Sequence, residues 1–110
     1  MTALTDLNAA LVVMTGAYSF APTSSFAAAD GVTFLCPRCV ALFGASASHS
    51  VAAWSSTGAA PAGLAPPGTR WRMYGTGVAD LTLVADPPRD DVFLRSACTW
   101  QGQVVNGSAL

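Results

Sequence analysis

The amino-acid sequence predicts a mainly β domain, a small barrel or sandwich of about six short strands preceded by a short N-terminal helix. Three observations carry this. Large apolar residues come in short runs, Val32 to Leu35, Leu81 to Val84 and Val92 to Leu94 among them, each bounded by glycine, proline or aspartate. Arg70-Trp71-Arg72-Met73-Tyr74 alternates polar and large apolar side chains, the period of a half-buried strand. Asn106-Gly107 is a strong hairpin-turn pair, since both residues tolerate positive φ.

The elements follow in order. Thr5-Asp6 precedes Leu7, Leu11 and Met14 at helical spacing, with Gly16 as a stop, and predicts a helix over 6–15. Residues 21–31 read as a loop, so 1–30 is a helix-and-loop segment and 31–110 a β-rich core within one domain, 1–110. Gly31 to Leu35 is a strand running into Cys36, and Ser50 to Trp54 is a second. Thr57 to Gly68 contains Pro61, Pro66 and Pro67 and reads as an outlying loop. The alternating strand 70–74 follows, then a Gly75-Thr76-Gly77 turn, a strand at 81–84, and a turn at 86–90. Short strands at 92–94 and 103–105 complete the set. Trp71, Tyr74, Phe93 and Trp100 are the expected aromatic core. A chain of 110 residues buries about 65% of its unfolded surface, enough for one thin core.

Composition excludes several classes. Only 10% of residues are charged, the net charge is −1, every cation is arginine and every anion aspartate. No basic patch exists to displace counterions from phosphates, so no nucleic-acid partner is expected. No apolar run approaches the roughly 20 residues that span a bilayer, so no membrane partner is expected either. A surface so poor in charge favours association, with a partner or with copies of itself. Leu11 to Met14 resembles a signal-peptide core, but Asp6 stands where such a segment carries positive charge. Three cysteines cannot all pair within one chain, which points to reduced thiols in an intracellular setting.

The concentrated chemistry is a Cys/His set. Cys36-Pro37-Arg38-Cys39 at the end of a strand has the form of a zinc knuckle, in which two sulfurs converge on one tetrahedral ion. Cys98 is the remaining cysteine and His49 the single histidine. Cys36, Cys39, Cys98 and His49 together make a Cys₃His metal set, and zinc is the cofactor it would take. The same residues admit blander readings: buried cysteines that simply pack, and a surface histidine. A CPxC redox motif of thioredoxin type needs βαβ units around it, and the downstream half reads as consecutive strands. Other enzyme readings lack parts. A nucleobase deaminase needs a glutamate, and the chain has none. Asp90-Asp91 sits in a Pro/Arg turn, His49 has no nucleophile elbow, and Gly75-Thr76-Gly77 lacks the rest of a phosphate loop. The expectation is a protein that is not an enzyme.

Phe34-Leu35-Cys36-Pro37-Arg38-Cys39, His49-Ser50-Val51 with Trp54, Arg70-Trp71, Gly75-Thr76-Gly77, Asp80-Leu81-Thr82-Leu83 and Cys98-Thr99-Trp100-x-Gly102-x-Val104-x-Asn106-Gly107 occur in this order. The series resembles a family of small uncharacterised proteins of tailed bacteriophages and prophages, over most of residues 32–107. The family pattern has histidine where this chain has Gln101. If the family site uses that histidine, a ligand is lost here and His49 or water substitutes. If it uses the equivalent of His49, nothing is lost. If this member binds no metal, its cysteines are core residues. The resemblance implies a phage origin. With the low charge and the small-residue segments, it makes a non-catalytic structural or assembly protein the leading expectation: a decoration, cement or connector component. Its partners would be other virion proteins or copies of itself, in the virion or in the host cytoplasm during assembly. A soluble accessory protein binding a host factor, or a CPxC thiol oxidoreductase, are the competing expectations.

Overall fold

A computed structural model describes residues 2–110 and bears out the mainly β class. The strands, all in antiparallel pairs, are β1 (Thr2–Ala3), β2 (Ala10–Met14), β3 (Phe20–Thr23), β4 (Gly31–Leu35), β5 (Ser50–Trp54), β6 (Arg70–Tyr74), β7 (Thr82–Asp86), β8 (Leu94–Arg95), β9 (Gln101–Gly102), β10 (Val104–Val105) and β11 (Ser108–Ala109). The α-helix, α1, spans Pro37–Phe43. Four sheets form: β3-β2-β4-β5, β1-β11-β10, β6-β7 and β8-β9. No helix among the described residues is long and apolar enough to cross a membrane.

The helix expected over 6–15 is absent. Leu4–Asp6 is a single 3-10 turn, Asn8 adopts positive φ, and Ala10–Met14 is strand β2. The apolar run misled because β2 is covered on both faces. Leu11 packs into the main core, whereas Val12 and Met14 face a second cluster, so no polar residue interrupts the strand. The β-branched pair Val12-Val13 favours strand over helix. The loop expected over 21–31 likewise begins inside a strand, β3, which pairs with β2 from Phe20 to Thr23. Its Pro22 is tolerated because β3 is an edge strand.

The four-stranded sheet separates two apolar layers. On one side Leu11, Val32, Phe34, Val51 and Ala53 join Leu4, Leu7, Trp71, Leu81, Leu83, Leu94 and Val104 in the main core. On the other side Val12, Trp54 and Leu64 pack together. The loop 57–68 is therefore not an outlying one. Leu64 is buried, and the Trp54 indole N–H donates to Ala65 O at 3.0 Å, fastening the loop over the sheet. Gly31 lies across the ladder from Trp54. A Cβ there would meet Ala53 O at 2.5 Å and the Trp54 ring at 2.6 Å, so this strand start requires glycine. Phe20 meets the same indole edge-on, with ring centroids 5.2 Å apart.

Of the expected aromatic core, Trp71 is buried and Phe93 and Trp100 are half-buried. Tyr74 is 50% exposed. The period of β6 explains this, because Tyr74 shares its face with Arg72, not with Trp71. Phe34 and Trp54 are the largest fully buried aromatics instead. At the C-terminal end, Asn106 and Gly107 take φ of 47° and 78° between β10 and β11, the turn their sequence specifies. Gly107 N–H donates to Leu81 O, and its carbonyl accepts from Leu4 N–H, which ties both chain ends to the core.

Truncating Trp54 to alanine removes the centre of the second layer and is expected to cost about 3–5 kcal/mol. Gly31→Ala is expected to cost about 1–3 kcal/mol by overpacking against the same ring. Urea unfolding of both variants checks this; a Trp54→Ala variant as stable as the parent would mean that the loop does not cover the sheet.

Candidate metal centre

The three cysteines come from two separate parts of the chain. Cys36 follows directly on β4: its N–H donates to His49 O at 2.9 Å, so the β4–β5 ladder sets Cys36 opposite His49. Pro37 then occupies the first helical position, where its fixed φ suits helix entry and its missing N–H costs nothing. The first turn of α1, closed by Val40 N–H on Cys36 O at 3.0 Å, brings Cys39 back beside Cys36. Cys98 sits at the tip of the loop between β8 and β9, closed by Ser96 N–H on Trp100 O at 3.2 Å. Trp100 packs edge-on against Phe34, with centroids 6.1 Å apart at 85°, and this contact docks the hairpin beside the end of β4.

The result is a compact sulfur cluster. The three Sγ atoms lie within 4.8 Å of one another. Cys36 and Cys98 are 3.0 Å apart, and Cys39 and Cys98 3.6 Å. His49, exposed just before β5, places Nδ1 3.4 Å from Cys39 Sγ. The three cysteines expected from the sequence are thus brought together, whereas His49 meets Cys39 alone and stands outside the group of mutually close donor atoms. Gln101 takes no part: it is exposed on β9 opposite Arg95. One member escaped the sequence reading. Ser96 Oγ lies 3.2 Å from Cys36 Sγ and 2.9 Å from Cys98 Sγ, bridging the two. Its position two residues before Cys98 was the available signal, and a lone serine carries no metal-ligand pattern.

The donor set suits a soft, tetrahedral ion. Thiolates 2.3 Å from zinc stand about 3.8 Å from one another, and a thiolate and an imidazole nitrogen about 3.6 Å. The Cys39–Cys98 and Cys39–His49 separations fall within a few tenths of an ångström of those values. The Cys36–Cys98 pair would open by about 0.8 Å to share the ion. Sulfur and imidazole donors select zinc over the hard, oxygen-loving cations. Cys36 and Cys39 are buried, Cys98 half-buried, so the cluster is closed on the protein side.

The thiols are not equivalent. Hydrogen bonds from the Ser96 hydroxyl, Cys36 and the Trp100 backbone N–H favour the thiolate of Cys98 and lower it to about 6. Burial, with hydrogen bonds to Cys98 and Cys36, pushes Cys39 up to about 11. Cys98 is the acceptor at the centre of the cluster and Cys39 a donor to it.

Comparison of the chain with known protein families, with curated proteins and with solved structures finds no match.

In metal-free protein the alkylation rate of Cys98 should rise with a midpoint near pH 6, and Ser96→Ala should move that midpoint toward the ordinary thiol value of 9.0. Peptide mass spectrometry after iodoacetamide pulses reads the midpoint, and an unmoved value would show that Ser96 is not the donor. Stability carries the same signature. The Cys98 thiolate supports the fold fully above pH 9.0, and this support is lost as pH falls through about 6. Cys39 contributes in the opposite sense, fully below pH 9.0 and decreasingly as pH rises through about 11. The metal-free melting temperature is therefore expected to climb on leaving pH 6 and to drop again in strong alkali.

Proposed function

We propose that the chain is a non-catalytic structural or assembly component of a tailed-phage particle, stabilised by one zinc ion held by Cys36, Cys39, Cys98 and His49. The observation that carries the zinc reading is the clustering of three thiols, from the residue after β4, the first turn of α1 and the β8–β9 loop, within 4.8 Å of one another, with the His49 imidazole 3.4 Å from Cys39 Sγ as the nearest further donor. The ion, when bound, supplies no reaction in this reading. It joins residues 36–49 to residue 98 and replaces core that a short chain lacks.

The place in a particle is supported by the resemblance of residues 32–107 to the phage family and by the surface. Leu42 and Phe43, adjacent at the end of α1, are each 63% exposed, and Tyr18 is 69% exposed, on a chain with few charges to keep such side chains apart. The partners are other virion proteins or further copies of the chain.

Two measurements test the proposal. Protein purified without added metal should carry about one zinc per chain, and a chelator should release it together with the near-ultraviolet circular dichroism of the buried tryptophans. Mass spectrometry of purified particles should find the chain in a fixed ratio to the capsid protein. Its absence from particles, with early expression, would replace the particle role by that of an accessory protein binding a host factor.

A further inference from the structure

We propose that Cys98 and Cys36 form a peroxide-oxidisable thiol pair, in which Cys98 is the sulfur attacked first and Cys36 the sulfur that resolves it into a disulfide. The spacing of the thiols carries this, whether or not an ion is held between them.

An oxidant reaches the sulfur that solvent reaches. Cys36 is fully buried and Cys39 is 5% exposed, while Cys98 is half-buried at a loop tip. The two residues before it in the loop, Ser96 and Ala97, line a surface cleft of about 530 Å³. Once Cys98 is oxidised, two buried thiols stand near it, Cys36 at 3.0 Å and Cys39 at 3.6 Å. A disulfide needs about 2.05 Å. Cys36 therefore has about 1 Å to travel and Cys39 half as much again. Cys39 is also in contact with His49 on its other side.

The chemistry balances with a hydroperoxide as the oxidant. The Cys98 sulfur attacks the terminal peroxide oxygen, the O–O bond breaks, and the alcohol or water leaves; Cys98 becomes a sulfenic acid. Cys36 sulfur then attacks the Cys98 sulfur, the S–O bond breaks, and water departs with the proton that Cys36 gives up. The pair loses two electrons and the peroxide gains them. Ser96 Oγ, within 3.2 Å of both sulfurs, is placed to pass that proton from Cys36 to the departing hydroxide. If the cluster holds zinc as proposed above, the bridge consumes two of its donors and releases the ion.

The test treats the purified protein with a small excess of hydrogen peroxide, caps free thiols with iodoacetamide and maps tryptic peptides without reduction. Cleavage after Arg38 separates Cys36 from Cys39, so the three linkages differ in mass. The expected result is loss of two of the three free thiols, a Cys36–Cys98 link and an alkylated Cys39. A Cys36–Cys39 or Cys39–Cys98 link, or higher oxides with no link, would overturn the proposal. In Cys36→Ser the Cys98 sulfenic acid should persist and be trapped by dimedone; if that variant does not fold, the linkage map of the parent decides alone. Zinc measured on the same sample beforehand keeps the two readings apart: a zinc-free sample that forms the link overturns the metal reading and leaves this one standing.

Discussion

The antiparallel register of β4 on β5 sets Leu35 opposite Ser50 and carries on to Cys36, whose N–H bonds the carbonyl of His49. Much of the molecule hangs from this ladder. Its inward residues Val32, Phe34, Val51 and Ala53 are part of the main core, and its outward Trp54 anchors the second layer. Just beyond its end, the backbones of Cys36 and His49 are paired, and the imidazole reaches Cys39 one helical turn on. A slip of β5 by one residue would turn Val51 and Ala53 out of the core and break the Cys36–His49 backbone pairing at the same time. Burial and site geometry are thereby specified by one pairing.

The sulfur cluster depends on a second contact, Trp100 against Phe34, which brings a loop from residues 96–100 to the end of β4. Gly102 makes that approach feasible: a side chain there would run into the Leu110 carbonyl and the Trp100 ring. Three thiols drawn together in this way share protons unequally. Cys98 accepts hydrogen bonds from several sides and Cys39, buried and donating, keeps its proton. Binding a cation removes the protons and the competition together, and apparent binding free energies of about 10–16 kcal/mol for structural zinc compare with whole-domain stabilities of about 5–15 kcal/mol. Oxidation is the other way such a cluster relieves its crowding. Both outcomes follow from the same proximity, and they exclude each other at Cys36 and Cys98.

The rest of the surface is quiet. Its ion pairs, Arg89 with Asp91 between exposed side chains and Arg72 with the half-buried Asp86, add little to stability. Asp80 has a local task, accepting from the Thr76 and Gly77 backbone and the Thr76 hydroxyl to shape the turn before β7. What stands out is apolar: Leu42, Phe43 and Tyr18, each more than 60% exposed.

Local chemistry was enough for much of this. Strands β4, β5 and β6 followed from β-branched and alternating residues bounded by turns, the β10–β11 turn from Asn106-Gly107, and the candidate ligands from residue type, since a chain with three cysteines and one histidine offers few others. The N-terminal helix failed because Leu7 and Leu11 are both buried, and spacing alone does not say whether one helix or a turn followed by a strand buries them. Strand β3 was hidden by Pro22, which only an edge position allows. The role of Leu64 in covering Trp54, the inclusion of Ser96, and the placement of His49 rather than residue 101 beside Cys39 were decided by tertiary structure. Each depends on where a distant strand or loop comes to rest, and that is set by the joint packing of the core rather than by any local pattern.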